Sequence, residues 1–211
     1  MTELYLVRHG ETDWNRQRRI QGLTDIPLND NGRRQARTTG ELLARRTWDG
    51  VYASPLGRAA ETASIIAGQL GLPEPGLIPE LVERNYGAAE GMDFTQIENV
   101  FPSRHDVPGQ EAREDVVARV VPALQRLAAE HPGEKLVVVS HGGAIRAVLT
   151  EVEPSASHGM ITNGSIHSFR VEDDGSLRLI AFDDPIEIES VEGQDDCEDL
   201  DEQNAIEAAS A

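Results

Sequence analysis

Leu4-Tyr5-Leu6-Val7-Arg8-His9-Gly10-Glu11-Thr12 decides how this chain is read. Leu4 to Val7 is apolar enough for a buried strand. An arginine and a histidine then stand side by side where the strand gives way to a glycine turn. A strand end fixes such side chains rigidly, and Gly10 permits close approach of the backbone to a ligand. Imidazole is a competent nucleophile, and a guanidinium fork matches the oxygens of a phosphate. The tripeptide alone is a weak signal. Its weight comes from the partners that follow it.

Outward from this strand the pattern alternates. Asn29-Asp30-Asn31-Gly32 offers a helix start, and Arg33 to Arg46 is rich in helix formers. Val51 to Ala53 reads as a short strand ending at Ser54-Pro55. Leu56 to Leu70 reads as a helix, with Ala59, Ala63, Ile66 and Leu70 at helical spacing, closed by Gly71. Pro73 to Pro79 is a loop with at most a short strand. Glu83 to about Gln110 is irregular. Ala112 to Glu130 is a helix that Pro122 should kink or split. Leu136 to Ser140 is a continuous β-branched run, as in a central parallel strand covered on both faces. Gly142-Gly143 opens a helix from Ala144 to about Glu151. Ser165 to Glu172 and Leu177 to Phe182 flank Asp173-Asp174-Gly175, a hairpin signal. The expected fold is α/β, a three-layer sandwich with a mostly parallel central sheet and ligand groups at the carboxyl ends of its strands.

The 211 residues suit one domain, 1–186, followed by a tail, 187–211. From Asp183 onward there are twelve acidic and no basic side chains, so two-thirds of the net charge of −18 lies at that end. A solvated extension, dispensable for chemistry, is the expected tail; an arm docked on the domain is the minor alternative. The acidic surface argues against nucleic acid, which needs a basic footprint. No stretch approaches the length of a membrane span, and no signal peptide is evident. Cys197 is the sole cysteine, which fits a reducing cytoplasm. Its acidic neighbours should keep it unreactive.

Five local contexts combine into one chemistry: Arg8-His9-Gly10, Asn15, Arg58 one turn after Ser54-Pro55, Glu83, and His141-Gly142-Gly143. Phosphoryl transfer needs an in-line nucleophile, stabilised equatorial oxygens and a protonated leaving group. His9 can be the nucleophile. Arg8 and Arg58 can hold the oxygens. Asn15, His141 and the free amides at the helix opened by Gly142 can add donors. Glu83 can protonate the leaving oxygen and then activate water. Arginines supply the positive charge, so no metal or other cofactor is called for. Read without its partners, each residue has a plainer alternative. Arg58 and Glu83 would be surface groups, and Asn15 would shape a turn.

These contexts resemble the histidine phosphatase superfamily, also called phosphoglycerate mutase-like, over roughly Leu4 to Phe182. The resemblance implies that His9 is phosphorylated and that Glu83 is the proton donor. It implies a phosphate pocket of Arg8, Asn15, Arg58 and His141. Gln21-Gly22, Asp25-Ile26-Pro27-Leu28, Gly32, Gln35-Ala36 and Asn163-Gly164-Ser165 are similar to the family pattern. The expected partner is a small phosphomonoester, and a homodimer is compatible with this class. A cofactor-dependent phosphoglycerate mutase is the alternative activity. Mutases of the family carry a longer, more basic insertion after Glu83, whereas here, past Arg84 and up to the start of the next helix, the only arginines or lysines are Arg104 and Arg113. Gly109-Gln110-Glu111 resembles the Gly-Glu-Ser signature of the phosphatase branch, with departures. A regulatory module that binds phosphate without turnover is the second alternative, and the intact catalytic set argues against it. His105, His131, His158 and His167 lack ligand spacing and read as structural or solvent-facing. Ser140 lacks a nucleophile-elbow sequence.

Overall fold

The computed structural model describes residues 1–102, 107–155 and 159–186. Arg104, His105, His158, Cys197 and the acidic tail lie outside them. A six-stranded sheet runs in the order β3-β2-β4-β1-β5-β6. Strands β1 (Thr2–Arg8), β2 (Gly50–Ala53), β3 (Gly76–Leu77) and β4 (Lys135–Ser140) are parallel. Strands β5 (Ile166–Val171) and β6 (Leu177–Ala181) complete it as an antiparallel hairpin. The α/β three-layer expectation holds.

Alternation along β1 and β4 builds two cores. Leu4, Leu6, Leu136 and Val138 face helices α5 (Arg113–Glu130) and α6 (Gly142–Val152). Tyr5, Val7, Val137 and Val139 face α2 (Asp30–Leu43) and α3 (Gly57–Leu70). Both central strands are covered on both faces, which is why they read as unbroken apolar runs. Ile186 is fully buried in the second core, so a shortened chain must keep it.

Local signals explain most element ends. The Asn29 side chain accepts from the Gly32 N–H and caps α2. Gly71 ends α3 in the left-handed region, at φ 67°. Three expectations need correction. Helix α5 runs unbroken through Pro122, because Val116 and Val120 before it and Leu124 and Leu127 after it bury into the same core. The irregular segment holds a helix, α4 (Phe94–Val100), and α1 (Asp13–Arg16) follows the first strand. Both start with a capping box, Thr12 with Asn15 and Asp93 with Gln96.

The third correction concerns Gly10. A β-carbon there would lie 2.3 Å from the Gly32 carbonyl oxygen, and one on Gly32 would lie 2.1 Å from that of Glu11. The two glycines let the loop after β1 pack on the first turn of α2, so Gly10 serves the fold rather than a ligand. Gly32→Ala is therefore expected to destabilise the protein by roughly 1–3 kcal/mol of overpacking. Helix propensity alone predicts about 1 kcal/mol of gain. Denaturant unfolding of the variant decides between the two signs.

Candidate active site

The carboxyl ends of β1, β2 and β4 bring the key side chains together. His9 follows β1 and is buried. Its Nδ1 lies 2.7 Å from the carbonyl oxygen of Gly10. A carbonyl only accepts, so Nδ1 carries the proton and Nε2 keeps its lone pair. The Nε of Arg58 donates to that Nε2 at 3.3 Å. Burial, then the Arg58 and Arg8 charges, hold the His9 imidazole well below its ordinary pKa. It is a free base at neutral pH.

Arg58 sits in the first turn of α3 and is fully buried. Its fork donates to the carbonyl oxygens of Gly22 at 2.7 Å and Thr24 at 2.9 Å, and pairs with Asp25 at 3.4 Å. Arg8 donates from Nη1 to the Ile161 carbonyl oxygen at 2.5 Å. Its Nε is buried without a hydrogen-bond partner. The Oδ1 of Asn15 accepts from the backbone and hydroxyl of Thr12, both at 3.1 Å, so Asn15 shapes the turn as well as facing the cavity.

His141 caps α6 and stacks edge-on against His9, with ring centroids 5.1 Å apart. Its Nε2 pairs with the Ser54 hydroxyl at 2.8 Å, and its Nδ1 is buried and unpartnered. Burial, followed by His9 and Arg58, depresses its pKa strongly. The carboxylate of Glu83 accepts from three backbone N–H groups: Arg84 at 2.8 Å, and Gly143 and Ala144, both at 3.1 Å. A β-carbon on Gly143 would lie 2.4 Å from Glu83 Oε1, so only glycine fits there while Glu83 keeps its place.

All the predicted site residues except His141 line one cavity of about 650 Å³: Arg8, His9, Asn15, Arg58, Glu83 and Gly142. His141 lies behind His9, sealed from solvent. Sequence reasoning missed Tyr86, Phe94 and Arg146, which also line this cavity. Arg146 had a signal, since it stands one helical turn beyond Gly142-Gly143. Tyr86 is partly buried beside Glu83; desolvation first, then the Glu83 charge, push its phenol up to about 12. A neighbouring cavity of about 380 Å³ shares Tyr86, Arg113, Gly143 and Arg146 and adds the apolar wall of Val116 and Val117. Asn163 was read only as part of a pattern; its Nδ2 donates to the His9 carbonyl oxygen at 2.8 Å, tying the strand end to the β5 entry. No group of three or more His, Cys, Asp or Glu that would hold a metal occurs among the described residues. Nor is any helix among them long and apolar enough to cross a membrane.

The remaining described histidines are structural. His131 bridges Glu134 and Tyr52, each at 2.7 Å. His167 is fully buried; its Nδ1 accepts the Asp183 N–H at 3.1 Å and its Nε2 meets the Ser165 hydroxyl at 3.0 Å. Burial lowers its pKa from 6.5 to about 4. The unfolded chain protonates this side chain near 6.5, whereas the folded one resists until about 4. Stability is thus fully present above 6.5 and lost as pH falls toward 4, and His9 and His141 act in the same direction. The melting temperature is expected to drop between pH 7 and pH 5. A flat profile would contradict the buried neutral histidines.

Comparison with known proteins finds a family match and phosphatase relatives. Residues 4–184 match the model of the histidine phosphatase superfamily (branch 1). The chain is 45% identical over 152 residues to an uncharacterized phosphatase, PhoE, of Bacillus subtilis, covering 72% of this chain and 78% of that protein. It is 35% identical over 185 residues to a metal-independent phosphoserine phosphatase of Arabidopsis thaliana, covering 82% and 78%. A solved structure of a phosphoserine phosphatase mutant from Entamoeba histolytica, in complex with phosphoserine, matches with a TM-score of 0.74 at 30% identity. That match covers 88% of this chain and 98% of the other. The chain described here belongs to the histidine phosphatase superfamily, branch 1.

Proposed function

We propose that this protein is a metal-independent phosphomonoester hydrolase that works through a phosphohistidine at His9. One observation carries the reading: a buried His9, its Nδ1 held by the Gly10 carbonyl and its Nε2 accepting from Arg58 Nε, lines a cavity that Glu83 also lines. The phosphatase relatives support hydrolysis. In the first step Nε2 attacks phosphorus, and the bond to the ester oxygen breaks. The Glu83 carboxyl gives its proton to the leaving alkoxide. Arg58 Nε, released from Nε2, turns to a phosphoryl oxygen. The fork of Arg8 and the Gly142 amide bind the others, and His141 steadies the imidazole ring. In the second step Glu83 takes a proton from water, which attacks the phosphohistidine, and the phosphorus–nitrogen bond breaks. The unpartnered Nε of Arg8, a residue that lines the cavity, fits a pocket completed by phosphate.

The substrate in this reading is a small phosphomonoester, with the alcohol portion extending past Tyr86 toward the apolar annex. The chain's single cysteine suits a cytoplasmic setting. The test is a panel of phosphomonoesters assayed in EDTA, with and without 2,3-bisphosphoglycerate. Release of inorganic phosphate in EDTA without the bisphosphate is expected. Loss of turnover in EDTA that magnesium or zinc restores would contradict metal independence. An isomerised product that requires the bisphosphate would favour the mutase alternative.

A further inference from the structure

Glu83 is carried by a segment with little regular structure of its own. A short 3-10 turn ends at Leu81, and Glu83 to Asn85 have no assigned element. Backbone carbonyls in such a segment need partners from elsewhere. Here every carbonyl from Glu80 to Glu83 receives a side-chain donor. Ser140 Oγ donates to Leu81 at 2.9 Å. A single residue on α5, Arg119, supplies the other three, to Glu80 at 2.6 Å, Val82 at 2.8 Å and Glu83 at 3.0 Å.

Arg119 uses its whole fork. The two N–H groups not spent on carbonyls form a bidentate pair with Glu111, at 2.8 and 3.0 Å. Glu111 in turn grips the far side of the same segment. Its carboxylate accepts the Asn85 N–H at 3.1 Å, its backbone carbonyl accepts the Arg84 Nε at 2.8 Å, and its backbone N–H donates to the Asn85 carbonyl at 2.8 Å. The pair is mostly buried, with side chains 20% and 19% exposed. Its base is rigid, because Val116 and Val120 anchor that part of α5 in the core. Neither residue lines the catalytic cavity. Burial pushes the Glu111 carboxyl up, but the Arg119 and Asn85 hydrogen bonds outweigh it and hold it below its ordinary value.

We propose that Arg119 and Glu111 are positioning residues for proton transfer, clamping the backbone on both sides of Glu83 so that its carboxyl meets the leaving oxygen. The proposal rests on the reading of Glu83 as proton donor. Proton donation is sensitive to placement, and a shift of about 1 Å in a reacting group can cost on the order of 10²-fold. Lysine at position 119 keeps the charge but cannot reproduce the planar fork that spans three carbonyls and a carboxylate.

The experiment measures kcat/KM, which reports the first phosphoryl transfer, for two substrates the wild type turns over. One is an alkyl phosphate, whose leaving group needs a proton; the other is p-nitrophenyl phosphate, whose leaving group does not. The variants are Arg119→Lys, Glu111→Gln, Glu83→Gln and the double variant Arg119→Lys with Glu83→Gln. Arg119→Lys is expected to lower the alkyl value about 10- to 100-fold and to leave the nitrophenyl value nearly unchanged. Glu111→Gln should act in the same direction, and it keeps the test open if Arg119→Lys folds poorly. In the Glu83→Gln background Arg119→Lys should no longer change the ratio between substrates. Equal losses on both substrates, or an undiminished ratio effect in that background, would overturn the clamp and leave only a structural role. If Glu83→Gln itself fails to separate the substrates, the proton-donor reading falls, and the clamp falls with it.

Discussion

His9→Ala is expected to lower kcat by at least about 10³-fold, in keeping with the removal of a catalytic nucleophile, while the protein still folds. The imidazole is neutral, and its two ring nitrogens engage only the Gly10 carbonyl and Arg58. Truncation removes no buried charge, and it opens space next to an existing cavity. Among the described residues no other histidine, serine or cysteine lines that cavity. His141 is sealed behind His9, with its Nε2 committed to Ser54. Circular dichroism and thermal melts of the variant separate chemistry from folding. Turnover near the wild-type rate in a folded His9→Ala protein would remove His9 from the mechanism.

Arg58→Leu is expected to damage both activity and stability. Its guanidinium holds the Gly22 and Thr24 carbonyls from within the core, and leucine leaves both acceptors unpaired. The orphaned Gly22 carbonyl, which is buried, costs about 1–3 kcal/mol, and the part-buried Thr24 carbonyl costs less. The ion pair with Asp25 adds little, because Asp25 is 43% exposed. For activity, the loss of one preorganised donor to the transferring oxygens is worth about 10²–10³-fold. A titration gives a further signature. Arg58 helps to hold the His9 pKa down, so its loss should let the His9 imidazole titrate at higher pH. NMR titration of the His9 ring in the wild type and the variant reads this shift. An unchanged titration together with wild-type kinetics would contradict the contact between Arg58 and His9.

The legible parts of this chain were those where local chemistry and tertiary role coincide. β1 and β4 read correctly because central parallel strands are apolar on both faces. Helix α3 read correctly because its small apolar residues repeat at helical spacing and Gly71 ends it. That His9, Arg8, Arg58 and Glu83 would line one cavity was legible because the first three stand near strand exits and the family resemblance singled out Glu83. Long-range packing was not legible. Gly10 was read toward a ligand, and its real neighbour is Gly32 on α2. Pro122 was expected to kink or split a helix that the core holds as one continuous element. The short helices α1 and α4 lay hidden in polar stretches, although their capping boxes were present in the sequence. Arg119 carried no local signal, and Glu111 was read only within the Gly109-Gln110-Glu111 pattern, since their partners lie on a segment that only the fold brings alongside.

The most direct test is to trap the intermediate. Wild-type protein mixed with substrate and quenched within a turnover should carry a phosphoryl group that is labile to acid and stable to alkali. Peptide mapping should place that group on His9, and phosphorus NMR should identify the Nε2 isomer, since Nδ1 is occupied by its bond to Gly10. Phosphate on another residue, or a burst of alcohol release with no phosphoprotein, would contradict the phosphohistidine account.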